Sequence, residues 1–264
     1  MRRSSILKRS FSIRWPLFGL ALLVGLLAVA CETSTPQNTF APAGDVADKQ
    51  RQLFLMAMWP AVAILVGVEV VLVLSLILFR RRRGRQLPKQ VHGNTPLEVA
   101  WTLAPLLLLL GLAVPMVALI FELGRNPKAE ALPIRVIGHQ WVWEFQYPTF
   151  ADGQGRPLTI IGTPENPPEL HIPAGREIAL EITSADVIHS FWVPRLGGKL
   201  DAIPGRVNRM WIVVNEPGVY PGQCAEFCGL LHADMRLKVV VHETEADFEG
   251  WVREMLSSGS GGGR

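Results

Sequence analysis

The chain has 264 residues, a net charge of +3 and hydrophobic side chains at 49% of its positions. That length accommodates one or two domains, but the apolar residues concentrate in three long runs before Pro133, so they report membrane segments and exclude one oversized soluble core. The positive charge comes from clustered arginines in the N-terminal half, while between Pro133 and Glu243 nine Lys/Arg stand against twelve Asp/Glu, which gives no basis for a nucleic-acid partner.

Residues 1–31 have the anatomy of a secretory signal. Arg2, Arg3, Lys8, Arg9 and Arg14 precede an apolar stretch from Leu17 to Ala30 that ends in small residues. Cys31 follows at once, in a context like a bacterial lipobox except that Ala28 stands where Leu is usual. Lipidation at Cys31, ordinary cleavage nearby and an uncleaved third span are the three readings open for this segment. Residues 32–50 are rich in Ser, Thr, Pro, Gly and Asp and read as a polar linker. The region 51–124 reads as a transmembrane hairpin with spans at about 53–79 and 99–121, each at or beyond the roughly 20 residues that crossing requires. Between them lie Arg80, Arg81, Arg82, Arg83, Arg85 and Lys89 without an acidic neighbour, which places this loop on the inner side and everything after Gly124 outside. Glu98 lies at the inner end of the second span, where a boundary charge is the plain reading.

After Pro133 the pattern changes to short alternating runs. Residues 135–138, 158–161, 177–182, 210–214 and 236–242 read as strands, separated by turn clusters such as Asp152-Gly153 and Glu216-Pro217-Gly218. The fold class expected is therefore a two-helix hairpin followed by an all-β sandwich or barrel over 133–243. Residues 244–264 read as a short helix carrying Phe248, Trp251 and Met255, then a Gly/Ser-rich tail.

Chemistry concentrates in one run, Cys224-Ala225-Glu226-Phe227-Cys228-Gly229-Leu230-Leu231-His232-Ala233-Asp234-Met235, with the pattern C-x3-C-x3-H-x2-M. Two thiolates, an imidazole and a thioether form a soft-ligand set that suits copper, and His189 is the expected second imidazole from an earlier connection. One Cys with two His and a Met would hold a single blue copper. The second Cys permits two bridging thiolates and a dinuclear electron-transfer centre. A local Cys224–Cys228 disulfide is the structural alternative in an oxidising compartment. His139, His171 and His242 have no ligand partner nearby in sequence and read as ordinary histidines. The chain has no C-x-x-C-H motif and so no attached c-type haem.

The segment from Ser184 through His189-Ser190-Phe191-Trp192-Val193-Pro194 to Gly205-Arg206 resembles subunit II of cytochrome c oxidase. So do 218–229, the aromatic run Gly138-His139-Gln140-Trp141-Val142-Trp143 and the segment Leu97-Glu98-Val99-Ala100-Trp101-Thr102. The likeness covers about 50–243. It implies a cupredoxin-like sandwich (a Greek-key barrel) carrying the dinuclear copper centre known as CuA. Cys224 and Cys228 would be the bridging thiolates, His189 and His232 the terminal imidazoles, and Met235 and the Glu226 carbonyl the weak axial ligands. The Glu226 carboxylate would reach a magnesium ion shared with subunit I. Trp141 would be where electrons arrive; the plain alternative is that Trp141 and Trp143, two apart, lie on one face of a strand and pack. Val142 stands where the family usually has Tyr. Glu98 would lie at the mouth of a proton pathway, and Asp186 would help steer the donor. The implied partners are subunits I and III, membrane lipid, and cytochrome c or a small blue-copper protein as donor, in a bacterial cell membrane with the copper domain outside. The implied activity is that of a proton-translocating cytochrome c oxidase whose oxygen chemistry lies in the partner subunit. A quinol oxidase subunit II would lack the Cys and His ligands. A membrane-tethered copper carrier or sensor would lack the aromatic patch and the hairpin, and nitrous oxide reductase carries such a centre without this hairpin.

Overall fold

A computed structural model describes residues 35–80, 90 and 92–258. The signal segment with Cys31, most of the basic loop and the end of the Gly/Ser-rich tail lie outside the described residues.

Two long helices come first, α1 (Asp45–Leu78) and α2 (Thr95–Leu123). Each is long and apolar enough to cross a membrane, and the most apolar window of each is wholly unburied within the chain. At 34 residues α1 is roughly 50 Å long, well beyond the roughly 30 Å of a hydrocarbon core. Pro60, Pro105 and Pro115 sit inside these helices, as spans packed against neighbours tolerate. α1 begins at Asp45, inside the segment read as a linker. Asp45 and Asp48 in its first turn suit the helix dipole, and Val46 and Ala47 are buried at 4% exposure each. Docking onto the sandwich thus extends the helix beyond the apolar stretch. Ala43 N–H donates to the Arg195 carbonyl at 2.8 Å, and Asn215 Nδ2 donates to Asp45 Oδ1 at 2.9 Å.

The sandwich contains β1 (Leu132–His139), β2 (Val142–Ala151), β3 (Pro157–Ile161), β4 (Glu169–Pro173), β5 (Glu177–Ser184), β6 (His189–Trp192), β7 (Lys199–Ala202), β8 (Asn208–Val213), β9 (Gly218–Cys224) and β10 (Arg236–His242). One sheet has the order β3-β2-β1-β5-β8, the other β4-β10-β9-β6-β7. The pairs β1/β5 and β4/β10 are parallel, so the chain crosses between the sheets as a Greek key does. Alternation directs Leu132, Ile134 and Val136 of β1 inward, against Trp143, Phe145 and Tyr147 of β2 and Leu170, Ile172 and Val239 from the facing sheet. Helix α3 (Glu245–Ser257), capped by a reciprocal Thr244–Asp247 box, buries Phe248 and Val252 against the sandwich. Trp251 stacks on His171 with ring centroids 4.0 Å apart.

Strand directions bring several ends together. β1 and β5 finish where β2 and β6 begin, and β9 finishes where β10 begins. Gln223 pairs with Arg236, and Cys224 with Phe191.

Candidate metal centre

Cys224 is the last residue of β9, and the loop from Ala225 to Met235 returns the chain to β10. The loop closes on itself, because Cys224 N–H donates to the Met235 carbonyl at 2.9 Å. A 3-10 turn, His232–Asp234, faces His232 toward the thiols. His189 opens β6 and does not sit on a connection as its sequence context suggested. Its ring is fully buried, which anchoring in a strand secures better than a free loop would.

These elements gather every donor that the sequence singled out. Cys224 and Cys228 are both free thiols, with their sulfurs 3.8 Å apart. Cys224 Sγ lies 4.0 Å from His189 Nδ1 and 3.3 Å from the Glu226 carbonyl oxygen. Cys228 Sγ lies 3.5 Å from His232 Nδ1 and 3.8 Å from Met235 Sδ. Donors about 2.0–2.3 Å from a shared ion at a tetrahedral angle lie about 3.3–3.8 Å apart, so the donor set fits shared metal ions. Its sulfur and imidazole content suits copper. Met235, Cys224 and Cys228 are buried and the Glu226 side chain is exposed, so only the Glu226 carbonyl belongs to the cluster.

The electrostatics split the two thiols. Burial pushes the Cys224 pKa up, but the His189 ring and the backbone groups of Glu226 and Ser190 outweigh it and hold it below the ordinary thiol value. Burial and the neighbouring Cys224 push the Cys228 pKa well up. The site therefore ionises one sulfur readily and needs added positive charge to ionise both, which is what a bound cation supplies. Burial lowers the His189 pKa, while Cys224 and Asp186 beside it raise it more, leaving it above the usual imidazole value.

Three residues around the cluster carried no ligand signal in the sequence. Asp186 Oδ1 pairs with His189 Nε2 at 2.8 Å and also accepts from Val187 N–H, while its Oδ2 accepts from Gln140 N–H at 2.6 Å. Its charge is thereby committed to orienting the imidazole, so a role confined to steering a donor understates it. Gly138 lies directly under His189; a Cβ there would come 2.7 Å from His189 Cδ2. Gln140 Nε2 donates to the Cys228 carbonyl at 2.8 Å.

Trp141 lies in the two-residue turn between β1 and β2, half-buried, and its Nε1 donates to that same Cys228 carbonyl at 3.1 Å. Trp143 lies in β2, fully buried and edge-on to His189 at 6.0 Å. The two tryptophans therefore do not share a strand face, because the turn rotates the first out of the pleat. Glu98 is remote from the cluster, in the first turn of α2. There its Oε1 accepts from Asn94 N–H at 3.1 Å while Asn94 Oδ1 caps Leu97 N–H. His171 and His242, read as unconnected, meet at 2.9 Å between Nδ1 and Nε2.

Residues 132–243 match the family described as the periplasmic domain of cytochrome C oxidase subunit II, and residues 35–119 match its transmembrane domain. Cytochrome c oxidase subunit 2 of a Bacillus species is 35% identical over 259 residues, covering 92% of this chain and 69% of that protein. The chain belongs to the cytochrome c oxidase subunit II family. Subunit 2 of Alkalihalophilus pseudofirmus is 40% identical over 201 residues, with 72% of this chain and 54% of that protein covered, so the chain spans about half the length of this relative. The solved periplasmic domain of subunit II from Bradyrhizobium japonicum shares 34% identity and a TM-score of 0.44, covering 51% of this chain and 99% of that one. Two candidate membrane helices among the described residues lead into the family's periplasmic domain, so this subunit II family member is a membrane protein with its sandwich outside.

Proposed function

We propose that this chain is the electron-accepting subunit of an aerobic terminal oxidase. It takes electrons one at a time from a carrier outside the membrane and hands them to haem in subunit I, where oxygen is reduced to water and protons are translocated. The observation that carries this reading is the convergence of two free thiols, two imidazoles, a thioether and a carbonyl in one buried cluster beneath Trp141. When bound, a copper pair supplies a one-electron couple there. Cys224 and Cys228 would hold it through their thiolates, His189 and His232 through their imidazoles, Met235 through its thioether and Glu226 through its backbone carbonyl.

The chain's own residues do the rest. Asp186 and Trp143 fix the His189 ring, so little rearranges when charge changes. Trp141, bonded to the ligand loop and half-exposed, is the contact for the donor, which is cytochrome c or a small blue-copper protein. Phe227 and Leu230 of the ligand loop are exposed at 77% and 87% and would exclude water when a partner closes over them. The exposed Glu226 carboxylate is free to share a magnesium ion with subunit I, and Glu98 stands at the inner end of α2 for the proton pathway. Subunit III and lipid cover the remaining apolar helix surface.

The deciding experiment measures copper in the purified full chain. Two coppers per chain with a delocalised mixed-valence signal are expected, and one copper with a blue-site spectrum refutes the reading. Two coppers in the chain but no electron transfer to haem in its complex with subunit I would instead favour a tethered copper carrier. In the complex with subunit I, Glu226→Gln is expected to lower bound magnesium while leaving copper in place.

A further inference from the structure

The sandwich meets its hairpin through a group of residues remote from the thiols. Glu177, the first residue of β5, is buried at 7% exposure. A buried carboxylate needs partners, and Glu177 has three donors. Arg125 Nη1 and Nη2 approach Oε1 and Oε2 at 3.0 and 2.6 Å, and Lys128 N–H donates to Oε1 at 2.8 Å. The Arg125 hydrogen bonds hold the Glu177 carboxyl below its ordinary pKa despite its burial.

Arg125 lies just past the end of α2. Its guanidinium stacks on Trp211 of β8, 3.9 Å from the ring centroid. Lys49 of α1 stands 5.9 Å from the same indole and pairs with Glu122 of α2. α1 and the segment just after α2 therefore each present a cation to one buried ring of the sandwich.

Between α2 and β1 the chain has no regular structure, and it includes Gly124 and Pro127. Left free, this connection would leave the outer end of α1 to hold the sandwich on the hairpin, a fastening at one side that a second contact beside β5 would make rigid. Because Leu132 pairs with Ile178, Glu177 lies beside the start of β1. Arg125 reaching Glu177 thus folds the connection back on itself.

We propose that Arg125 and Glu177, seated on Trp211, form a rigid joint that fixes the orientation of the sandwich on its hairpin and so positions the thiol–imidazole cluster for electron delivery to subunit I. This rests on the oxidase reading given above. These are positioning residues, since none touches the cluster. Glu177 and Ser184 are the two ends of an eight-residue strand, about 23 Å apart at about 3.3 Å per residue.

The test uses the full oxidase complex carrying Arg125→Gln, Glu177→Gln, Arg125→Lys or Trp211→Phe. For the two glutamine variants, copper content, the mixed-valence spectrum and the rate of donor oxidation are expected to match wild type. Electron transfer onward to haem should slow severalfold, because tunnelling falls off with the separation and orientation of the two centres. Amide hydrogen exchange over residues 124–131 should rise, Lys128 above all. Arg125→Lys, which keeps the charge without the two-pronged contact, should fall between, and Trp211→Phe, which keeps a ring face, should stay near wild type. Unchanged transfer to haem in both glutamine variants overturns the joint. So does copper loss in parallel with slower transfer, because the pair would then only hold the fold together. A wild-type complex with no copper-to-haem transfer at all refutes the oxidase reading instead.

Discussion

Substituting Gly138 by alanine is expected to unseat His189. The new Cβ would stand 2.7 Å from His189 Cδ2, 3.0 Å from Cγ and 3.2 Å from Cβ. Carbon atoms rest at about 3.5–4.0 Å, so the ring must retreat by about 1 Å. It has no free direction, being fully buried, edge-on to Trp143 and bonded to Asp186 at 2.8 Å. A retreat of that size along the Asp186 bond would stretch it to about 3.8 Å, beyond useful length, and in any other direction would meet the packed surroundings. Gly138 lies in extended backbone that alanine accepts, so reduced chain entropy alone would stabilise by about 0.4–1 kcal/mol. Overpacking costs about 1–3 kcal/mol and at least offsets that gain, for a net loss of about 0–2.6 kcal/mol. Copper affinity should fall roughly tenfold to a hundredfold, the usual effect of disturbing a ligand's support. Chelator competition and thermal melting of the purified chain measure the two quantities. Gly153→Ala is the matched control, since a Cβ there meets nothing within 4 Å. If Gly138→Ala binds copper as wild type does and melts no lower than Gly153→Ala, the reasoning is wrong.

Trp141→Ala should slow electron uptake from the donor at unchanged copper content, because Gln140 still donates to the Cys228 carbonyl that Trp141 abandons; loss of copper in this variant would show the indole to be structural. Asp186→Ala should weaken copper binding roughly tenfold to a hundredfold by releasing His189, and equilibrium competition with a copper chelator reads this directly. Burial and the neighbouring His242 push the His171 pKa down to about 4 from 6.5, so the unfolded chain binds the proton first. Stability from this group is complete above about pH 6.5 and is lost as pH falls toward about 4, by roughly 2–3 kcal/mol. His171→Phe, which can still stack on Trp251, should flatten that part of the stability profile, and denaturant melts at several pH values test it.

The sequence made the hairpin and the ligand loop legible because both are local signals. Hydropathy reports a span over one contiguous stretch, and the C-x3-C-x3-H-x2-M spacing lies within twelve residues. Contacts set by sheet register left no such trace. His171 and His242 are 71 positions apart and meet only because β4 and β10 run parallel. Arg125 and Glu177, 52 apart, depend on the β1/β5 pairing in the same way. The two-residue spacing of Trp141 and Trp143 fits strand alternation equally well, and only the end of β1 at His139 puts Trp141 in a turn. The early start of α1 was partly readable, since Gly44 followed by Asp45 and Asp48 is a helix-start pattern; polar composition masked it.

The fastening of α1 to the sandwich also bears on how the protein is made. Arg195 donates to the Ala41 carbonyl across 154 positions, and Asn215 to Asp45 across 170. At about 5–20 residues per second, the partners of the outer end of α1 emerge roughly ten to thirty seconds after it. The hairpin therefore enters the bilayer with one end untied and waits for a domain that must first cross the membrane. Biogenesis factors acting in that interval would meet a chain whose thiols and helix anchor are both still open.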